Sequence, residues 1–265
     1  MDIIAKYGRE MFTNGGLGLE LASVDRHMAN VANFMQASTN GAPNYVTIVA
    51  SVATEAGRKE WHDVHGDLAE PSEQMLAMMG QALGAVILQD SLRKFGIVSA
   101  SVNVTHNEID NRKEQPVYRK SLVQAKASRI VPIVNENAAL SVVELAKLAY
   151  GGDNDGIAGH SARVTGADAL ILFTVKGGYL DNNGREVPRI ETSDFDEALA
   201  LVQIREQDSS ATKKGKGGMS SKMQEARKTS DAGIATFIAG PEATIEDVLA
   251  GRSGTEVIGK ATEVG

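Results

Sequence analysis

The residues best able to do chemistry lie in short polar or glycine-rich stretches beside apolar runs. The most distinctive is Lys213-Lys214-Gly215-Lys216-Gly217-Gly218-Met219-Ser220-Ser221-Lys222, which leads into a helical pattern. Glycines expose backbone N–H groups, a helix N-terminus adds its dipole, and lysines add full positive charge, a combination suited to a polyphosphate. It is not the Walker pattern, because no Lys follows the second glycine of G-x-x-x-x-G-K-[ST]. A flexible basic surface loop has the same composition. Near the N-terminus, Lys6 and Gly8 follow an apolar run at residues 3–5. An ammonium and an approachable backbone there suit phosphate, and a solvated lysine with a turn glycine reads the same way. Ser51 follows the run 45–49 and offers either a hydroxyl at a strand end or an N-cap. Asn135-Glu136-Asn137 follow the run 130–134, where polar side chains are costly unless hydrogen-bonded, so they serve either a site or a structural network. Gly151-Gly152-Asp153-Asn154-Asp155 joins turn glycines to compact polar groups that could orient an amine, hold Mg²⁺ through water, bond a lysine, or simply form an Asx turn. EF-hand spacing is absent.

These stretches require a scaffold that brings strand ends together. Buried-type runs at 45–49, 96–104, 130–134, 169–174 and 234–239 read as strands covered on both faces. Helical patterns lie at 21–37, 73–93, 142–149 and 220–232, the last ending at Gly233. Strand–helix alternation predicts an α/β fold with a mainly parallel sheet and helices on both faces. Ligands on such sheets bind beyond the carboxyl ends of the strands, which is where the polar stretches fall.

Composition narrows the chemistry. The 265 residues suit one large α/β domain or two small ones, and residues 1–265 are read as one. No Cys is present, which excludes thiol nucleophiles, Cys-ligated metals and disulfides. Lys plus Arg total 27 against 34 Asp plus Glu, a net charge of −7 that disfavours a nucleic-acid or anionic-membrane surface. The N-terminus lacks a signal-peptide pattern, and no stretch reads as a membrane helix, so a cytoplasmic location is expected. His62 and His65 form an H-x-x-H without a third ligand and read as surface histidines; no metal-ligand set is assigned. The methionines of 75–79 read as helix packing and a candidate subunit contact.

The order of these motifs resembles the amino-acid kinase family, and within it the branch of glutamate 5-kinases. The pieces are Val131-Pro-Ile-Val-Asn-Glu-Asn137, Gly152-Asp-Asn-Asp155, Ala167-Asp-Ala-Leu-Ile-Leu-Phe-Thr174, Gly217-Gly-Met-Ser-Ser-Lys222 and Ala232-Gly-Ile-Ala-Thr-Phe-Ile-Ala-Gly240. The resemblance implies a three-layer αβα sandwich and transfer of the ATP γ-phosphoryl group to a carboxylate, with ATP and Mg²⁺ as cofactors. It implies that Lys6 and Lys222 stabilise the transferring group, with Asp155 orienting both. Gly8, Thr174, Gly217, Gly218 and Met219 would meet the nucleotide, and Ser51, Asn137 and Asn154 the small amino-acid or carboxylate substrate. It further implies a homo-oligomer, a dimer or tetramer, and, for a chain ending near Gly265, no C-terminal PUA domain. The sequence departs from the family pattern at Gly8-Arg9-Glu10, Ser51-Val52-Ala53, Ala138 and Thr174-Val175. Loss of an acidic partner at 138 would weaken binding of a substrate ammonium. The first reading is an ATP-dependent kinase acting on a carboxylate of glutamate or a related small acceptor; another is a kinase for a different acceptor, such as a phosphonate or phosphate monoester. The remaining reading is a catalytically impaired protein with a nucleotide-binding, regulatory or assembly role.

Overall fold

The computed structural model describes residues 1–13, 15–105, 109, 114–137, 154–208 and 218–260. The chain divides into two compact units, one holding Met1 and Tyr7–Asn154, the other Asp2–Lys6 and Asp155–Gly265. The expected helix at 142–149, Gly151–Asp153, Ala138 and Lys213–Gly217 lie outside the described residues.

The first strand, β1 (Asp2–Tyr7), gives only Tyr7 to the first unit. There follow a 3₁₀ turn (Arg9–Phe12), α1 (Leu21–Gln36) and a small hairpin of β2 (Ser38–Thr39) and β3 (Ala42–Pro43). The hairpin turns through Asn40 and Gly41, both at positive φ, which suits Asn-Gly. Next come β4 (Tyr45–Ala50), α2 (Ala53–His65), α3 (Glu73–Arg93), β5 (Ser99–Val104), α4 (Gln115–Ala127) and β6 (Val131–Glu136). β4 and β6 run parallel, pairing Ile48 with Ile133 and Val49 with Val134, and β5 pairs parallel with β6 along its length. The ends of β4 are tied by Tyr45 N–H to the Met1 carbonyl and Ser51 N–H to the Tyr7 carbonyl. Every residue of β4 and β6 is buried, as expected of parallel strands with both faces covered.

In the second unit are α5 (Asn154–Thr165, its first residue counted with the other unit), β7 (Ala169–Phe173), β8 (Arg189–Ile190), α6 (Phe195–Asp208), α7 (Met219–Ser230), β9 (Ala235–Ala239), α8 (Ile245–Leu249) and β10 (Thr255–Val257). β7 and β9 pair in parallel over all five residues, whereas β10 runs antiparallel to β9 and parallel to β8. Leu170, Ile171 and Leu172 are fully buried, each worth about 1.5–3 kcal/mol of transfer free energy.

Several sequence expectations shift in detail. Lys6 lies inside β1 rather than after it, and Asn135 and Glu136 lie inside β6. The residues at 96–98 precede β5, where Gly96 takes a positive φ. Asn154 and Asp155, read as a turn, begin a helix. The helices α2, α4, α5, α6 and α8 escape the sequence reading, because their apolar residues are small or interrupted by charge. The long helix α3 meets the length and apolar composition of a membrane span, contrary to the sequence reading. In the fold it buries Leu76, Ala77, Gly80, Gly84, Ala85, Leu88 and Leu92.

α2 and α3 cross with almost no separation. A Cβ at Gly57 would overlap the Leu76 carbonyl, and one at Gly80 would overlap Ala53 and Gly57 backbone. This close crossing fixes α2, which starts two residues after Ser51.

Candidate active site

Lys6 is 4% exposed and stands between Ala5 and Tyr7, both fully buried. An ammonium there is tolerable only with a charged partner. Asp155, fully buried in the first turn of α5, supplies it, with Lys6 Nζ 2.5 Å from its Oδ1. Its other oxygen, Oδ2, receives Lys222 Nζ at 3.2 Å from α7. The N-terminus of α5 favours a carboxylate at this position. Two lysines separated by 216 positions thus converge on one aspartate, and the trio carries a formal charge of +1. Such a centre is complementary to an anion. The roles expected for Lys6, Asp155 and Lys222 require this juxtaposition.

A second set of charges on the same helices is absent from the sequence reading. Arg163 of α5 donates through Nη1 to Glu225 Oε1 at 2.6 Å and to Thr229 Oγ1 at 2.7 Å, both on α7. A Cβ at Gly159 would overlap the Glu225 carboxylate. Burial raises the Glu225 pKa above the ordinary glutamate value, opposed by Arg163 and Lys228 and reinforced by Asp155. The available signal was spacing: 155, 159 and 163 share one helix face, as do 222, 225 and 229.

Among the residues expected at the substrate, Ser51 and Asn154 are joined, Asn154 Nδ2 donating to Ser51 Oγ at 2.5 Å. Asn154 Oδ1 and Asn135 Nδ2 are buried without a hydrogen-bond partner among the described residues. Buried polar atoms of this kind call for a partner, an ordered water or a ligand. Asn135 also escaped the sequence assignment, because its strand was read as ending at residue 134. Asn137 is partly exposed, and its N–H bonds the Val104 carbonyl at 2.8 Å. Val52 is buried where Gly84 of α3 leaves room for it: a Cβ at Gly84 would stand 3.0 Å from Val52 Cγ2. The departure from the family pattern at Val52 is thus matched by a glycine opposite. Arg9 stands 3.6 Å from Glu55, a buried carboxylate also bonded by Arg58, which in turn holds Glu70 at 3.0 Å. His62 bonds Glu70 at 2.9 Å, and that hydrogen bond raises the His62 pKa.

On the side expected to meet nucleotide, Gly8 takes an extended conformation and accepts from Met11 N–H. Thr174 follows β7, its N–H bonded to the Ala239 carbonyl at 2.9 Å. Gly218 caps α7 and Met219 begins it. A Cβ at Gly218 would overlap the Glu206 carboxylate, which accepts from Ser220 N–H at 3.2 Å and Ser220 Oγ at 2.5 Å. A side chain at 218 would push that carboxylate away, a constraint invisible in the local sequence. Gly217 lies outside the described residues.

Residues 3–240 match the model described as "Amino acid kinase family". The chain belongs to this family. Membership agrees with parallel strands flanked by helices and with strand-end polar residues. A glutamate 5-kinase of Chromohalobacter salexigens is 30% identical over 241 residues, which cover 89% of this chain and 60% of that enzyme. The chain thus spans less than two thirds of the length of that relative. The structure of Giardia carbamate kinase aligns with a TM-score of 0.67 at 15% identity, covering 98% of this chain and 99% of that one. Carbamate kinase from Giardia lamblia bound to AMP-PNP aligns at 0.65 and 13% identity, covering 98% of both chains. Likeness at this identity establishes the carbamate kinase-like fold expected from the resemblance.

Proposed function

We propose that this protein transfers the γ-phosphoryl group of ATP to a carboxylate oxygen of a small amino acid, glutamate being the first candidate. The carboxylate oxygen bonds to γ-phosphorus while the bond to the β,γ-bridging oxygen breaks, giving an acyl phosphate and ADP. The observation that carries this reading is the pair of buried ammonium groups on Asp155. Phosphoryl transfer needs positioning and charge neutralisation more than covalent catalysis, and Lys6 and Lys222 supply charge where it builds. A carboxylate acceptor is already ionised at neutral pH and needs no general base. The glutamate 5-kinase relative and the AMP-PNP bound to the Giardia enzyme support the same choice of acceptor and donor.

Gly8, Thr174, Gly217, Gly218 and Met219 line the nucleotide in this reading. Ser51, Asn137 and Asn154 hold the acceptor, with Asn135 Nδ2 and Asn154 Oδ1 as one donor and one acceptor awaiting it. Among the described residues no three His, Asp or Glu side chains gather to hold a metal. Mg²⁺ would arrive on the triphosphate, its usual mode in kinases. With glutamate as acceptor, the reaction would open proline synthesis in the cytoplasm.

The test is hydroxamate formation from ATP, Mg²⁺ and glutamate or aspartate, with ADP release as the readout when the panel is extended to carbamate, phosphonates and phosphate monoesters. Turnover with glutamate is the expected result. Turnover with another acceptor alone would replace glutamate. ATP binding without turnover on the whole panel would overturn the kinase reading and favour a regulatory or assembly role.

A further inference from the structure

The Lys6–Asp155–Lys222 centre leaves one mechanical question open on its own helices, which is what holds Lys222 in reach of Asp155. A lysine side chain has four rotatable bonds, so its ammonium is placed by its backbone and by whatever fixes that backbone. On α5, Asp155, Gly159 and Arg163 are four residues apart. On α7, Lys222, Glu225 and Thr229 are three and four apart, so each trio forms one stripe. The stripes meet at both ends. Asp155 takes Lys222 at 3.2 Å, and two turns further along α5 a single Arg163 nitrogen bonds Glu225 and Thr229 at 2.6 and 2.7 Å. Between them the Glu225 carboxylate sits over Gly159, in space no other residue would leave. The charged groups around Glu225 are Arg163 and Asp155 from α5 and Lys228, at 4.0 Å, from its own helix.

We infer that Arg163, Glu225 and Thr229 form a clamp that sets the register of α7 on α5, and that through it Glu225 is a positioning residue for Lys222. Glu225 lies one helical turn from Lys222, so sliding of α7 by a fraction of a turn would break both contacts together. The carboxylate lodged over Gly159 blocks that slide sterically, and the forked bond from Arg163 opposes it electrostatically. In the kinetic arm below the inference rests on the kinase reading; in the labelling arm it does not.

Glu225→Ala removes the clamp, and Glu225→Gln retains its shape and a hydrogen-bond acceptor. In the unliganded protein, labelling of the Lys222 amine by an amine-reactive reagent, read by mass spectrometry against the exposed Lys120, should rise several-fold in Glu225→Ala and return toward wild type in Glu225→Gln. In turnover, Glu225→Ala should lower kcat by about 10²-fold, the scale of an ångström misplacement, with the KM for ATP little changed. Glu225→Gln should recover most of that loss. Thr229→Val, nearly isosteric, deletes one of the two anchors of Arg163 and should shift both readouts the same way by less; it keeps the test open if Glu225→Ala does not fold. Wild-type labelling of Lys222 in the folded variants would overturn the clamp even if the enzyme is a kinase. Absence of turnover in the wild-type protein would overturn the kinase reading and leave the labelling result standing.

Discussion

Asp155 is the residue on which the centre turns, because it neutralises two lysines at once. Asp155→Asn would leave two ammonium groups in a buried site. The expected loss is about 3–5 kcal/mol of stability, measured by urea unfolding, together with loss of turnover. Lys222→Ala removes charge from the reacting group instead. Its kcat should fall by about 10²–10³-fold in the hydroxamate assay, with a stability close to wild type. Glu225 makes a prediction of the opposite kind. Burial raises its pKa, so the folded protein holds this proton more tightly than the unfolded chain does. Its contribution is fully present below the unfolded value of about 4.3 and is lost as pH rises through the folded value. Glu225→Gln lacks this dependence. The stability of wild type relative to Glu225→Gln should therefore be greatest in acid and decline toward neutral pH, as read from paired denaturation curves.

At the scale of elements, the α2–α3 crossing shows how packing places a loop. Gly57 and Gly80 let the two backbones touch, and Gly84 makes room for Val52. Gly80→Ala has no flexible side chain to push aside, only backbone. It should lower stability by at least the roughly 1–3 kcal/mol typical of overpacking and raise the KM for the acceptor, since α2 begins just after Ser51. A melt and acceptor kinetics check both. These elements also show what could be read in advance. The run 45–49 and the long pattern at 73–93 emerge correctly, because burial on both faces and a capped apolar helix leave strong local signatures. The helix beginning at Asn154 does not, because Asn-Asp after paired glycines has the chemistry of a turn, and the helix is made of small and polar residues that owe their burial to neighbours. Glu206 against Gly218 and Ser220 is equally silent in sequence, since these partners lie twelve and fourteen residues away across residues 209–217.

At the scale of the whole molecule, the exposed face of α3 carries Met75, Met78, Met79 and Val86. We propose it as the subunit contact of a homo-oligomer; a Met78→Glu/Val86→Glu variant should then sediment as a smaller species than wild type, and an unchanged mass would remove this face from consideration. By itself the sequence determined the fold class, the family, the strands that end near polar residues and the lysines worth watching, because hydrophobic period and turn chemistry act over a few residues. Tertiary structure alone decided that Val52 faces Gly84 and that Arg163 grips Glu225 over Gly159, and it supplied the burial and distances at which Lys6 and Lys222 share the Asp155 already implied by the resemblance. Each of these is a pairing across distant chain positions, set by how closely two backbones approach. Electrostatic partners in a buried site are chosen by that approach, and no local pattern encodes it.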